Sequence, residues 1–207
     1  NFETETELTG YFERTGFVFM FAPAFHPAMK HAMPVRRELA TRTIFNMLGP
    51  LTNPARPARQ MIGVFSPAVL DLYAKAAGEI GFEHLIVYSA ENGMDEVSPF
   101  VPTLAREIRG HEVREFVINP VDYFEIPAQA DIPHDLDAAG NVEVFLKTVS
   151  EGKETPLARV LALNTAVALR ALGHGENLHP HYAQALEVIR QGGVLRVLAA
   201  MRDGAAA

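Results

Sequence analysis

Two adjacent carboxylates, Asp95 and Glu96, are the residues of this sequence whose types and spacing best fit catalytic chemistry. They follow the apolar run HLIVYS (84–89), which is typical of a buried β-strand, and Gly93 lies in the connection. Ligands of parallel α/β sheets bind beyond the carboxyl ends of the strands. Mg²⁺ typically takes one or two protein carboxylates and fills its other positions with water and phosphate oxygens. The pair is therefore a candidate magnesium site, and a solvated acidic turn is the alternative.

Arg36 and Arg37 form a second candidate site, in the first turns of a short helix predicted after Pro34. A cation there is slightly unfavourable against the helix dipole, so an acidic partner or an anionic ligand is expected beside it. An arginine guanidinium can hold a planar carboxylate through paired hydrogen bonds. The alternative is an ordinary ion pair, for which Glu38 and Asp71 are the candidates.

The histidines do not indicate a metal site. His26 and His31 are five positions apart with a proline between them, whereas a helical metal pair needs positions i and i+4. His174, His179 and His181 crowd a predicted turn between helices, but no cysteine accompanies them. The sequence also contains no phosphate-binding P-loop, dinucleotide fingerprint or G-x-S-x-G elbow.

Composition limits the classes of partner. The 207 residues carry a net charge of −7, which gives no general attraction to nucleic acid or to an anionic membrane. No apolar run approaches the roughly 20 residues of a membrane span. The chain has no cysteine, which fits a reducing compartment. It does not begin with methionine, so we expect either a fragment or a partly observed chain.

The elements that must position the acidic pair follow from periodicity. MIGVF (61–65) predicts a strand, Ser66-Pro67 begins a helix that Gly81 ends, and residues 84–89 form the next strand. Short links between them predict a parallel strand pair with a right-handed crossover. The segments on either side of Gly110 alternate as an antiparallel hairpin does.

Helical patterns account for most of the remaining chain. We predict a helix over 5–15 and short helices over 34–40 and 42–48, the second of which Gly49 would terminate. Residues 120–140 are expected to be loop. Further helices are predicted over 142–150, 155–173, 179–192 and 193–203, and the apolar centre of the second suggests a central buried helix.

Four segments together resemble the anthranilate phosphoribosyltransferase family of tryptophan biosynthesis. They are FAPAFHPAMKHAMPVRRELATRTIFNMLGPLTNPA (21–55), IGVFSP (62–67), NGMDEVS (92–98) and LALNTAVAL (161–169). They occur in the family's order, and the resemblance extends over essentially the whole chain.

The resemblance implies an α/β fold of the nucleoside phosphorylase and phosphoribosyltransferase type. A large α/β lobe with a mainly parallel central sheet flanked by helices would accompany part of a small helical lobe. Residues 1–24 would begin the large lobe or link to it. Residues 25–55 would supply helices of the small lobe and the hinge, and residues 56–207 the large lobe.

The resemblance also implies an activity. Family members transfer the phosphoribosyl group of phosphoribosyl pyrophosphate (PRPP) to anthranilate, require Mg²⁺ and are cytoplasmic. They form homodimers, mainly through an N-terminal lobe that is not found in this sequence. Asp95 and Glu96 match the acidic pair that holds Mg²⁺ on the pyrophosphate, and Arg36 matches the arginine that binds the anthranilate carboxylate. The positions that line the aromatic channel are matched by Pro23, His26, Met29 and Pro50. No residue is assigned as a catalytic acid or base.

The sequence departs from the family in one respect. The Gly-Thr-Gly-Gly-Asp and Lys-His-Gly-Asn segments, which bind PRPP in the family, are not found in it, so we expect residues 1–207 alone to have little or no activity. The alternatives are a pyrimidine-nucleoside phosphorylase-like enzyme, a non-catalytic paralogue that binds nucleic acid, and a fragment with an interaction or structural role. The sequence encoded upstream of Asn1 would discriminate among them.

Overall fold

The structure of the protein is a computed structural model, which describes residues 5–20, 25, 38 and 44–205. The chain divides into two compact units, one of residues 1–56 with 192–207 and one of residues 57–191. The lobe boundaries at 24/25 and 55/56 that the resemblance implies stay predictions. No helix in the described part is long and apolar enough to cross a membrane.

Regular elements follow the predicted order closely. The helices with both ends in the described ranges are α1 (Glu5–Thr15), α2 (Ile44–Leu51), α3 (Leu70–Ile80), α4 (Ala138–Ser150), α5 (Pro156–Ala171), α6 (Leu178–Arg190) and α7 (Gly193–Ala205). The strands are β1 (Arg59–Gly63), β2 (His84–Ala90), β3 (Thr103–Arg109) and β4 (Glu112–Ile118). Short 3₁₀ turns cover 67–69, 120–122 and 129–131.

The first unit contains α1, α2 and α7. Helices α1 and α7 pack on each other, and the buried Tyr11 of α1 donates its hydroxyl hydrogen bond to the carbonyl of Met201 at 3.1 Å. The helix over 5–15 is confirmed, whereas residues 17–20 form neither helix nor strand. The helix predicted over 34–40 lies outside the described residues, apart from Glu38.

The predicted end of the second short helix is wrong. Helix α2 continues through Gly49 and Pro50 to Leu51 instead of ending at Gly49. A proline in the last turn removes one helical hydrogen bond, which is less disruptive than in a helix interior. Thr52 closes the helix, because its N–H and its hydroxyl both donate to the carbonyl of Leu48 at 3.0 Å.

The second unit is built on one four-stranded sheet of order β1-β2-β3-β4. The predicted parallel pair, β1 with β2, and the predicted hairpin of β3 and β4 are both confirmed. The expectation of a mainly parallel sheet is wrong for the described residues, since β2 also pairs antiparallel with β3 and the sheet is mixed. The chain returns from β2 to β3 through a loop over 91–102, and only parallel pairing requires a long crossover.

Helix α3 makes the crossover between β1 and β2. The hydroxyl of Ser66 accepts a hydrogen bond from the N–H of Ala68 at 3.3 Å, as an N-cap residue does. Gly81 ends α3 with φ of 86°, a left-handed conformation that glycine adopts without steric cost. All seven residues of β2 are buried, and α3 and α5 both pack on this strand. The carboxyl end of β2 is therefore firmly placed.

Helices α4 to α6 complete the second unit. Thr155 caps α5 by accepting from the N–H of Ala158 at 3.2 Å, with Pro156 in the first turn. The prediction of a central buried helix is confirmed by α5, whose buried residues are Ala158, Val160, Ala162, Leu163, Ala166, Val167 and Ala171. α5 packs mainly against α6 and also contacts β1 and β2.

A buried ionic cluster joins the sheet to α5. Glu107 of β3, whose side chain is 1% exposed, accepts from Arg170 of α5 at 2.6 Å and from Arg109 at 2.9 Å. Its carboxylate also lies 2.8 Å from Nε2 of the buried His84. Burial favours a neutral carboxyl, but the hydrogen bonds from Arg170 and Arg109 lower the pKa of Glu107 to about 2. This carboxylate is therefore fully partnered inside the fold.

Candidate active site

The acidic pair lies where the carboxyl ends of two parallel strands meet. Asp95 and Glu96 are in the loop that leaves β2, and Tyr88 near the end of β2 is opposite Gly63, the last residue of β1. The Val64 N–H extends this contact by donating to the Tyr88 carbonyl at 2.8 Å. The position predicted for the pair at the edge of a parallel strand pair is therefore confirmed.

Gly63 permits a close approach of the loop to β1. A Cβ atom added at this glycine would lie 1.6 Å from the carbonyl oxygen of Asp95, a distance that no side chain can adopt. The loop itself is tight, because the Gly93 N–H donates to the Ala90 carbonyl at 2.9 Å, and the Ala90 N–H to the Met94 carbonyl at 3.0 Å. The backbone of Asp95 thus rests directly on the end of β1.

The downstream side of the loop is held by buried polar groups. The Ser98 N–H donates to the hydroxyl of Thr103 at 3.0 Å, and both residues are fully buried. The Ser98 hydroxyl in turn accepts from the N–H groups of Phe100 at 3.1 Å and Val101 at 3.3 Å. Since buried polar groups are costly when unpaired, this arrangement favours one loop conformation.

Both carboxylates of the pair are exposed to solvent. Within the described part of the chain, neither Asp95 nor Glu96 forms an ion pair with a lysine, arginine or histidine. Tyr88, a residue that is only 4% exposed, lies close enough for the charges of Asp95 and Glu96 to act on its hydroxyl. Burial raises the pKa of Tyr88 first, and the negative charges of Glu96 and Asp95 raise it further. The negative charges of Asp95 and Glu96 therefore influence Tyr88 at the end of β2, and no cationic side chain among the described residues neutralises them.

These donors fit Mg²⁺ better than zinc. No group of three or more histidine, cysteine, aspartate or glutamate side chains that could enclose a metal occurs among the described residues. Two adjacent carboxylates open to solvent are the partial oxygen ligand set that Mg²⁺ uses when phosphate and water supply its other positions. The residues present are thus compatible with a magnesium ion that arrives with a phosphorylated ligand.

The predicted substrate-binding residues are described unequally. Pro50 is half-buried in the last turn of α2. Arg36, His26, Pro23 and Met29 lie outside the described residues, as does Arg37. Asp71, one of the two ion-pair partners proposed for the arginines, binds Arg106 at 2.8 Å.

Three residues that support the loop were not singled out from the sequence. They are Gly63, Ser98 and Asn164, and all three lie within segments that resemble the family. Asn164 is the one carboxamide in the mostly apolar centre of α5, and it contacts the backbone of Val97. An isolated amide in a buried helix needs a partner, and this signal could have identified it.

The histidines near α6 make contacts within the fold. His179 stacks on Tyr123 with ring centroids 4.5 Å apart, and His181 lies 3.3 Å from the carbonyl of Gly175. His174 meets His181 edge to face. These rings therefore pack with neighbouring residues of the second unit.

Curated relatives match this chain over part of their length. The anthranilate phosphoribosyltransferase of Chromohalobacter salexigens is 44% identical over 163 residues, which are 79% of this chain and 47% of that protein. The enzyme of the same name from Methylobacillus flagellatus is 39% identical over 184 residues, covering 88% of this chain and 53% of its own. The chain thus spans about half the length of the curated relatives it matches.

Solved structures show the same likeness. Anthranilate phosphoribosyltransferase from Saccharomyces cerevisiae in complex with PRPP and Mg superposes with a TM-score of 0.86 and 26% identity, over 97% of this chain and 58% of that one. The Thermus thermophilus enzyme gives a TM-score of 0.79 and 30% identity, over 95% and 59%. A further yeast structure is in complex with 4-fluoroanthranilate.

A family model assigns nearly the whole chain. It is described as "Glycosyl transferase family, a/b domain" and matches residues 2–195. Together with the relatives, it confirms the resemblance to anthranilate phosphoribosyltransferase that the sequence segments indicated. This chain belongs to the glycosyl transferase family, a/b domain.

Proposed function

We propose that this chain is part of an anthranilate phosphoribosyltransferase, the pentosyltransferase of the second step from chorismate to tryptophan. The observation that carries the proposal is the exposed Asp95–Glu96 pair, which has no ion-pair partner among the described residues and stands on a loop held by buried hydrogen bonds. The names of the relatives support this activity, and yeast structures with PRPP and Mg and with 4-fluoroanthranilate support the two substrates.

The proposed reaction exchanges one bond at C1 of the ribose. The C1–O bond to pyrophosphate breaks and its electron pair leaves with the pyrophosphate oxygen. The lone pair of the anthranilate amino nitrogen forms the new C1–N bond, and the amine loses one proton. The products are N-(5-phosphoribosyl)anthranilate and pyrophosphate. Because a neutral aryl amine is already nucleophilic, positioning and electrostatics should contribute more than a strong base.

Asp95 and Glu96 would hold Mg²⁺ on the pyrophosphate group in this proposal. When bound, Mg²⁺ neutralises negative charge that develops on the leaving group. The loop's contribution is to fix both carboxylates at the end of β2, where Gly63 admits the Asp95 backbone. The two side chains therefore need no rearrangement of the strands to reach a phosphorylated ligand.

The anthranilate side of the site is proposed from the family motif. Arg36 would bind the anthranilate carboxylate, since a guanidinium pairs with a carboxylate through two parallel hydrogen bonds. Pro50, His26, Pro23 and Met29 would line the aromatic channel. Substitution of Arg36 by alanine should then raise the anthranilate KM while the KM for PRPP changes little. An unchanged anthranilate KM would contradict this assignment.

Fluorescence of anthranilate tests the activity directly. Its consumption is measured with PRPP and Mg²⁺, for the 207-residue chain and for a chimaera in which the N-terminal half of the Chromohalobacter enzyme precedes it. We expect turnover by the chimaera and little or none by residues 1–207 alone. A chimaera that folds but consumes thymidine and phosphate instead would indicate the pyrimidine-nucleoside phosphorylase alternative.

We also propose that the complete enzyme is a cytoplasmic homodimer that binds neither nucleic acid nor membrane. The net charge of −7 supports the proposal that the enzyme binds neither nucleic acid nor an anionic membrane. Light scattering coupled to size-exclusion chromatography checks the dimer on the chimaera, and fractionation of the source cells checks the location. A monomeric active enzyme would contradict the dimer.

A further inference from the structure

The carboxamide of Asn164 connects α5 to the acidic loop. Its Oδ1 accepts from the N–H of Val97 at 3.0 Å, and its Nδ2 lies 3.4 Å from the Val97 carbonyl. The Nδ2 group also donates to the carbonyl of Val160, one turn earlier in α5, at 3.0 Å. One side chain thus contacts both backbone polar groups of the residue that directly follows Glu96.

The chemistry of this contact is specific to asparagine. A carboxamide supplies an acceptor oxygen and two N–H donors in one plane. An aspartate side chain supplies acceptors but no donor, and an alanine side chain supplies neither donors nor acceptors. The helix around Asn164 cannot easily shift, because its neighbours Leu163, Ala166 and Val167 are fully buried. Val97 is itself fully buried, so its backbone groups are shielded from water that could replace the amide.

The flanking parts of the loop are held independently of Asn164. Asp95 lies against Gly63, and Ser98 is bound by the Thr103 hydroxyl. Removal of the carboxamide should therefore free the backbone at Glu96 and Val97 without releasing the remainder of the loop. The short segment affected is the one that sets the separation of the two carboxylates.

We propose that Asn164 is a positioning residue, which sets the placement of Glu96 beside Asp95 by holding the N–H and carbonyl of Val97. The inference rests on the proposed magnesium role of these two carboxylates. It adds a residue on α5 that acts only through the backbone. Loss of such outer contacts typically weakens metal affinity or activity by about 10- to 100-fold.

Hydrogen exchange of the Val97 amide tests the contact itself. We compare Asn164→Ala and Asn164→Ser with the unsubstituted chain, and use Thr165→Ala as the matched control. Serine can bond back to the Val160 carbonyl and so keeps α5 satisfied, but it is too short to reach Val97. Thr165 is exposed and donates its hydroxyl to Leu161 of its own helix at 2.7 Å, so its loss should leave the loop unchanged.

We expect exchange at Val97 about 2- to 10-fold faster in both Asn164 variants, the effect of losing one hydrogen bond of ordinary strength. Amides of β2 and β3 should exchange at unaltered rates, which also shows that the variants fold. Protection of Val97 that persists in both variants would overturn the proposal. If Asn164→Ala does not fold, Asn164→Ser carries the comparison.

Binding of Mn²⁺, followed by electron paramagnetic resonance with inorganic pyrophosphate present, tests the positioning. Both Asn164 variants should bind Mn²⁺ about tenfold more weakly, while Thr165→Ala binds as the unsubstituted chain does. Fast exchange at Val97 with unchanged Mn²⁺ affinity would overturn the positioning role and leave the proposed function intact. If Asp95→Asn with Glu96→Gln also binds Mn²⁺ normally, the proposed function itself fails.

Discussion

Glu107 and the Asp95–Glu96 pair are carboxylates of the same unit in opposite surroundings. Glu107 is buried on β3 and contacts Arg170, Arg109 and His84. Asp95 and Glu96 are exposed at the end of β2 and have no ion-pair partner among the described residues. The fold holds Glu107 by contacts to its side chain, whereas it holds the Asp95–Glu96 pair by contacts to the backbone of the loop.

The difference separates a structural carboxylate from a candidate ligand carboxylate. A buried charge with a complete set of donors contributes to folding and has no free lone pairs to offer a metal. A carboxylate whose backbone is fixed but whose oxygens face solvent can bind a ligand without unfolding anything. The comparison therefore predicts that substitutions at Glu107 change stability and substitutions at Asp95 and Glu96 change binding.

The largest effect on stability is expected for Glu107→Gln. The substitution leaves Arg170, whose side chain is 11% exposed, and His84 without their anionic partner. Breaking a buried pair from one side typically costs about 3 to 5 kcal/mol of unfolding free energy. Urea denaturation measures it. The control, Arg109→Gln, removes a cation that is 45% exposed and leaves Glu107 paired with Arg170, so it should cost less than Glu107→Gln.

Lowering the pH should remove the contribution of Glu107 to the unfolding free energy. The pKa of Glu107 falls from 4.5 to about 2 on folding, so its contribution is complete above about pH 4.5 and is lost as the pH drops towards 2. The unfolding free energies of the unsubstituted chain and of Glu107→Gln should therefore converge as the pH falls from about 5 towards 2. A difference that stays constant over this range would assign the loss to packing instead of charge.

A smaller loss is expected for Gly63→Ala. Its Cβ would collide with the Asp95 carbonyl, which is backbone and must move with the loop. Such crowding typically costs about 1 to 3 kcal/mol, and pyrophosphate-dependent Mn²⁺ binding should weaken with it. The matched control is Gly78→Ala in α3, where a Cβ meets no atom within 4 Å. That change should stabilise the helix by about 0.5 to 1 kcal/mol in urea denaturation.

The smallest effect on stability is expected for Asp95→Asn with Glu96→Gln. Exposed side chains without strong partners usually alter the unfolding free energy by less than about 0.5 kcal/mol. The change also removes mutual repulsion between two adjacent charges. A loss above about 2 kcal/mol in urea would place these carboxylates with Glu107, among the structural groups.

Most of the architecture followed from local pattern. The strand–helix–strand segment, the hairpin at Gly110 and the four late helices have the periodicity that the prediction used, although the first of these helices begins at Ala138, inside the expected 120–140 loop. The end of α2 was missed because Thr52, two positions after Pro50, supplies the closing hydrogen bonds. The mixed sheet was missed because pairing of β2 with β3 depends on the path of the 91–102 loop, which has no periodicity.

The candidate site could be located from the sequence but not assembled. Asp95 and Glu96 were identified by their place after a strand, and the structure puts them there. Asn164 lies 67 positions from Val97, and Glu107 lies 63 from Arg170, so neither contact has a local signal. Contacts of this kind arise only when α5 packs on the sheet. These contacts determine which carboxylates are paired with protein groups and which stay exposed to solvent.

Mn²⁺ binding in the presence of pyrophosphate tests most directly that the pair, and no other carboxylate of the loop, is the metal site. Electron paramagnetic resonance compares the unsubstituted chain, Asp95→Asn with Glu96→Gln, and Glu91→Gln, an exposed glutamate of the same loop. We predict that the double variant binds more than about tenfold more weakly and that Glu91→Gln binds normally. Equal binding by all three proteins, or none by the unsubstituted chain, would contradict the account.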